Sequence, residues 1–517
     1  MDFFYSHVLP ELQAASQPGY QAHPILIADA IKFVTAFRAQ LPREAFATLV
    51  PLLATFLGHR QPVVHTYAAT ALERMLALKE VAPAGAVAAP RYGAAQLTPC
   101  LQPLLTGLFS ALKLEGSQEN QYVMRAIMRV TVVAAEGMAP YASMCIDELK
   151  TVLGRVCANP SNPTFNHLLF ETIASLVRYI CAKTPSAVDS FEGMLFPPFQ
   201  YVLQQDVSEF TPYVFQILAQ LLECKTSLSA AYEGLFPPLL LPTMWERAGN
   251  IPALVRLLCA YMDKGKATVL PNLERVLGVF QKLLASRATD SYACKLLSSI
   301  FVRFEGAELQ AYLGAIFNLL LTRLQSNKKC AANVVGVWAT FVARYGAAAL
   351  QGQLDSIQPG LYVQIMKAIW AEHAGNTQGL TRKTVSIATV KLLAETSLVT
   401  TDGAVFTAVL QALLTMVLND QGMAAAQGAA ADDVPDIDEN DDGNAGGYSA
   451  AYVQLNFASA AEVDPYAGEA VPACVVSSLR QLNASSPGVL PGVVGQIVQA
   501  MPADKQAAVQ AMLQGVF

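Results

Sequence analysis

The sequence is poor in charge, and its absences narrow the field first. Only 14% of its 517 residues are Asp, Glu, Lys or Arg, against 53% hydrophobic residues. Its longer apolar runs, Ala45 to Leu57 and Val405 to Leu418, are broken by Thr, Gln or Pro. They fall short of the roughly 20 residues a bilayer requires, so no membrane insertion is expected. The N-terminus, MDFFYSHVLPEL, has no basic region, no unbroken apolar core and no small-residue cleavage site, which argues against a secretory signal. Nine cysteines, an odd number without a CxxC pair, read as small buried hydrophobes in a reducing compartment. The six histidines are dispersed and form no close pair, so neither catalysis nor metal ligation is expected of them.

Catalytic signatures are missing too. There is no GxSxG elbow, no P-loop, no HExxH and no dinucleotide-binding GxGxxG after a strand, so the sequence nominates no enzyme chemistry, cofactor or metal. The formal net charge is −6, but seven carboxylates between Asp432 and Asp442 leave the rest of the chain at +1. A nearly neutral body offers no basic footprint for nucleic acid. Within the acidic run, Asp436, Asp438 and Asn440 fit the first, third and fifth places of a calcium loop, yet Asp441 stands where Gly is needed and Gly447 where the bidentate Glu is needed. Asp436, Asp438 and Glu439 therefore read as part of a solvated acidic loop, with contact to a basic partner as the functional alternative.

What is present is helical periodicity. Residues 24–40, 42–57 and 62–79 carry amphipathic patterns with short connections, and the theme continues through 97–114, 122–135 and 141–157. Later blocks at 272–285, 292–302, 309–324, 331–344, 361–371 and 382–393 repeat it. The stretch Leu235 to Gly265 reads as a unit of two helices: Pro237 and Pro238 open the first, Gly249 ends it, and a second restarts near Asn250. In the second helix Ile251, Leu254, Val255, Leu258 and Met262 share one face, while Arg256 and Asp263 fall off it. The elements FEGMLFPPF from Phe191 and YEGLFPPLL from Tyr232 place Leu-Phe-Pro-Pro twice, at Leu195 and Leu235. That offset matches HEAT or armadillo helix pairs. No segment alternates with period two for long enough to propose a sheet. The expected fold is all-α, a HEAT/armadillo-type α-solenoid in which stacked helix pairs build a superhelix.

Five regions follow: repeats over 1–80, an Ala/Gly/Pro-rich loop insertion over 81–95, further repeats over 96–418, an acidic and disordered loop over 419–447, and capping helices over 448–517. Candidate partner-binding residues cluster at the turn of the 235–265 unit. Trp245 packs between repeats while Glu246 and Arg247 form local ion pairs beside Asn250; the alternative is an interface hot spot built on the Trp and the Arg. Arg125 and Arg129 stand four apart on one helix face, where they either stay solvated, the preferred reading, or grip a carboxylate partner.

Several blocks resemble one family. WERAGNIPALVRLL (Trp245 to Leu258), FNHLLFETI (Phe165 to Ile173), VHTYAATALERM (Val64 to Met75), GVFQKLLASRA (Gly278 to Ala288), EFTPYVFQILAQLLE (Glu209 to Glu223) and DIDENDDGNAGGYSAAYVQLNFA look like the exportin-2, or cellular apoptosis susceptibility, family of importin-β-class karyopherins. The likeness covers essentially the whole chain and corresponds to the family's C-terminal half. It implies a HEAT superhelix that exports importin-α with Ran-GTP, shuttling between nucleus and cytoplasm with possible contacts to nuclear pore proteins. The main Ran contact of the family falls in its N-terminal repeats. The competing class is a HEAT scaffold outside nuclear transport, which would share the solenoid but not these blocks.

Overall fold

The computed structural model describes residues 2–20, 23–81, 88–427, 454–459, 462–514 and 516, without side chains for 420–427 and 503–504. Among the described residues, extended pairing is confined to one isolated bridge, Lys79 with Pro90, at the base of the expected 81–95 insertion. Arg91 ties that base down by donating to the carbonyls of Ala39 at 3.0 Å and Leu41 at 2.7 Å, and Tyr92 stacks on Phe46. Everything else regular is helical, and no helix among the described residues is long and apolar enough to cross a membrane.

The chain forms two compact units. Unit 1 comprises residues 1–232, 247–257 and 431–460; unit 2 comprises 233–246, 258–430 and 461–517. The longer helices of the first part are α1 (Pro24–Ala36), α2 (Ala45–Phe56), α3 (Pro62–Leu76), α4 (Leu101–Ala111), α5 (Gln121–Ala134), α6 (Ala142–Val156), α7 (Pro163–Leu176), α8 (Val188–Gln204) and α9 (Thr211–Glu223). They stand in two rows: α1, α3, α5, α7 and α9 pack in succession, while α2 packs on α4 and α6 on α8. The helices of the first row, α1, α3, α5, α7 and α9, carry start signals in their sequence. Asn120 and Asn162 cap α5 and α7 by accepting main-chain N–H groups, and Pro24, Pro62, Pro163 and Pro212 occupy first-turn positions where no N–H is missed. Gly107 lets α4 approach α2 closely, since a β-carbon there would meet Leu57 Cδ1 at 3.1 Å.

The helices that follow are α10 (Ala230–Leu239), α11 (Ile251–Lys264), α12 (Leu273–Leu284), α13 (Asp290–Arg303), α14 (Gly306–Ser326), α15 (Ala331–Tyr345), α16 (Ala347–Ile357), α17 (Gly379–Glu395), α18 (Gly403–Gln427), α19 (Val471–Ser485), α20 (Val489–Gln499) and α21 (Ala503–Leu513). In unit 2, α13, α15, α17 and α19 form one row. Around it α12 packs on α13, α16 on α15, and α20 and α21 on α18. Gly346, at φ +92°, makes the turn between α15 and α16 that a side chain would strain. Each unit is an α-solenoid of HEAT-type helix pairs, as the periodicity predicts.

Four local expectations need correction. Pro237 and Pro238 do not open a helix; they lie near the end of α10, just as Pro197 and Pro198 lie inside α8. The carbonyls one turn back that the prolines leave without a helical partner, at Glu233 and Gly234, belong to exposed residues, where water can take the place of the missing N–H. The buried face also runs one residue out of step with the letters. Phe191, Leu195 and Phe199 in α8 correspond to Tyr232, Phe236 and Leu240, an offset one longer than that of the Leu-Phe-Pro-Pro elements. Gly249 sits inside a 3₁₀ turn, Ala248–Asn250, without the positive φ expected of a helix-ending glycine. Finally, α18 continues past the expected break at Leu418 to Gln427.

Candidate functional site

The rows of unit 1 contain polar side chains where a stacking face alone would have none. On α7, Glu171 is fully buried between Phe170 and Thr172, and on α9 Gln216 and Gln220 are buried four residues apart, one turn along the same face. All three serve one short segment. Residues Gln454 to Ser459 belong to no helix and close in a turn in which Ser459 N–H donates to the Asn456 carbonyl at 3.2 Å.

The segment is read mainly through its main chain. Leu455 N–H donates to Gln216 Oε1 at 2.8 Å, and the same amide is oriented by donating Nε2 to the Pro212 carbonyl at 3.1 Å. Asn456 N–H and Phe457 N–H converge on the two oxygens of Glu171, at 2.7 and 3.1 Å. Successive N–H groups aimed at one anionic group form a small concave nest, here closed by a carboxylate from another helix. Gln220 Nε2 then bridges, donating to the Ala174 carbonyl on α7 at 3.1 Å and to the Phe457 carbonyl at 2.9 Å. Arg256, at the start of α11, donates Nη1 to the Ala458 carbonyl while Nε and Nη2 clasp Glu223 at 2.9 and 2.6 Å. Arg178 reaches Ser459 Oγ at 3.3 Å.

Apolar side chains fill the space between these bonds. Leu455 and Ala458 are fully buried and Phe457 nearly so, with the Phe457 ring 6.4 Å from that of Tyr179. Burial pushes the Glu171 carboxyl up to about 7, and the main-chain bonds from Asn456 and Phe457 with the side-chain bond from Asn456 oppose that rise without cancelling it. The site therefore holds peptide backbone mainly by side-chain donors and acceptors, with Leu455, Phe457 and Ala458 buried and Asn456 exposed. Within the region 448–517, where capping helices are expected, residues 454–459 sit instead on α7 and α9.

The residues nominated from sequence lie elsewhere. Trp245 is buried and its Nε1 donates to the Leu239 carbonyl at 2.8 Å, whereas Glu246 is exposed. Arg247 is exposed and forms a bidentate pair with Asp206 at 2.6 and 2.7 Å, which holds the Asp206 carboxyl below its usual range. That pair spans 41 residues and is not the local one anticipated. Asn250 is buried in its 3₁₀ turn. Arg125 and Arg129 are not solvated. Both are buried on α5, because that helix is covered by α3, α4 and α7, and Arg129 pairs with Glu73 of α3 at 3.0 Å. Asp436, Asp438 and Glu439 lie outside the described residues. The signal that was missed is the Gln216/Gln220 spacing and the lone Glu171 within apolar helical runs.

Residues 73–512 match the family model described as CAS/CSE protein, C-terminus, and residues 1–72 match the model described as Cse1. The chain belongs to the CAS/CSE family. It is 40% identical over 514 residues to exportin-2 of Oreochromis niloticus and 38% identical over 516 residues to that of Homo sapiens. Both alignments cover 96% of this chain and 51% of the relative, so the chain spans about half the length of the curated relatives it matches. A solved structure of the exportin Cse1 in its cargo-free, cytoplasmic state aligns with a TM-score of 0.79 at 26% identity, covering 99% of this chain and 51% of that one. Importin beta in an ammonium sulfate condition aligns at 0.61 and 12% identity, over 98% of this chain and 57% of that one, which shows the shared fold alone. The curated relatives carry the name of an exportin and not of an enzyme.

Proposed function

We propose that this chain forms the C-terminal part of a nuclear export receptor that carries importin-α out of the nucleus with Ran-GTP and shuttles between nucleus and cytoplasm. The observation that supports this reading is ordered similarity to exportin-2 over 96% of the chain, joined to the likeness with exportin Cse1. The receptor works by binding and makes or breaks no bond. Direction comes from linkage: cargo and Ran-GTP each favour the wrapped state, so each raises the other's affinity. Of the nominated residues at this turn, Glu246 and Arg247 are exposed and available to a partner, whereas Trp245 and Asn250 are buried.

The test is capture of purified importin-α on the immobilised receptor containing this chain, with Ran locked in its GTP state and Ran-GDP as the control. Retention that requires the GTP-locked form is the expected result. No retention of importin-α under either condition overturns the reading.

A further inference from the structure

We infer that the groove between α7 and α9 is a peptide-binding site in its own right, and that residues 454–459 are its displaceable resident ligand. The inference does not depend on the transport reading.

Three features of the contact set it apart from ordinary packing. First, the segment contributes to no helix pair. It lies against α7 and α9, where these two helices touch each other more sparsely than the earlier members of their row do, and is itself part of neither helix. Second, recognition is directed at the main chain. Three consecutive N–H groups, from Leu455 to Phe457, meet acceptors on Gln216 and Glu171, and the two following carbonyls, of Phe457 and Ala458, meet donors on Gln220 and Arg256. Such a ladder fixes direction and register while leaving much of the side-chain identity open, as in other modes of peptide capture that rely on backbone bonds. Third, Glu171, Gln216 and Gln220 are buried beneath the segment. An empty groove would strand polar groups in an apolar surround, which favours exchange of one occupant for another over vacancy.

The ligand class follows from the same contacts. The site accepts a short peptide of the form apolar, asparagine, aromatic, small, leaving in a tight turn, the asparagine side chain adding a hydrogen bond to Glu171. Leu455, Phe457 and Ala458 supply the three buried side chains. Proline is excluded at the three positions whose N–H groups are read, because its ring removes the donor.

The test uses the full chain with Gln454 to Ser459 replaced by a Gly/Ser stretch of equal length, titrated with a synthetic peptide of residues 452–459, YVQLNFAS. Saturable binding to this variant is expected, with at least tenfold weaker binding of the peptide carrying Asn456→Pro, and weaker, competitive binding to the unaltered chain, whose resident segment must first be displaced. A folded variant that fails to bind the peptide overturns the proposal, as does equal binding of the proline peptide. Should the variant not fold, hydrogen exchange on the unaltered chain decides. Main-chain amides of Leu455 to Phe457 that open well before those of α7 and α9 support a displaceable ligand. Amides that exchange only when α7 and α9 unfold show a fixed structural element and refute it.

Discussion

Glu171 and Asn456 are 285 residues apart in sequence, and the main-chain N–H of one lies 2.7 Å from the carboxylate oxygen of the other. The same carboxylate takes the N–H of Phe457, so one fully buried side chain holds two adjacent peptide groups. Replacing it removes the acceptors of one buried donor, on Phe457, and of one part-buried donor, on Asn456. Glu171→Ala is expected to cost on the order of 2 to 4 kcal/mol, since each stranded donor carries a penalty of roughly 1 to 3 kcal/mol that release of the segment partly relieves. Chemical denaturation measures the loss, and hydrogen exchange should place it first at Leu455 to Phe457. A variant as stable and as protected as the unaltered chain would refute this account of Glu171.

The pH dependence follows from the raised Glu171 pKa. A carboxyl at about 7 in the folded chain, against 4.5 for its ordinary value, keeps its proton where the unfolded chain has lost it. The native state then binds more protons between those two values, so this group's contribution is fully present below pH 4.5 and is lost as pH rises through 7. Urea midpoints measured at pH 5, 6, 7 and 8 for the unaltered chain and Glu171→Gln test it. The unaltered chain is expected to lose stability relative to the variant as pH rises, and a difference that stays constant with pH contradicts the assignment.

The buried pair Arg129–Glu73 makes a different prediction, because neither group reaches solvent. Removing Glu73 strands Arg129, so Glu73→Ala is expected to destabilise by about 3 to 5 kcal/mol, whereas Arg129→Ala leaves Glu73 its second contact, with Arg74 at 3.5 Å, and is expected to cost less. Replacing both together with apolar residues of similar size, Arg129→Met with Glu73→Leu, is expected to cost far less than Glu73→Ala. A double-mutant cycle by chemical denaturation reads the coupling directly, and strictly additive losses would show that the two side chains do not act as a pair.

How much of this was legible in the sequence depends on the range of the interaction. The apolar face of α11 was fully visible, since Ile251, Leu254, Val255, Leu258 and Met262 are all buried and their spacing is a property of a single helix. Helix ends were less so. Pro237 and Pro238 look like a start signal, but whether a proline opens a helix or sits near its end depends on whether the carbonyl one turn back can reach water, and exposure is a tertiary property. The same limit explains Arg125 and Arg129: their spacing placed them on one face, but only the neighbouring helices make that face interior. The groove was the least legible. Gln216 and Gln220, one turn apart in an otherwise apolar helix, mark a polar requirement, yet the backbone that satisfies it lies more than two hundred residues away, and local periodicity does not encode it.

Trp245 and Arg247 stand two positions apart and are expected to respond in opposite ways. The indole is buried and hydrogen-bonded to the Leu239 carbonyl, so Trp245→Ala opens a cavity and is expected to cost about 3 to 5 kcal/mol whatever partner is present. The guanidinium is exposed, and its bidentate pair with Asp206 is screened by water, so Arg247→Ala is expected to change stability by less than about 1 kcal/mol. Any loss of importin-α capture in Arg247→Ala therefore reports on contact, not on folding, whereas the same loss in Trp245→Ala does not distinguish the two. Measuring the denaturation midpoint and capture on the same preparations separates these roles. An Arg247→Ala receptor that retains both full stability and full capture removes Arg247 from the binding surface and leaves it as the outer half of a surface ion pair with Asp206.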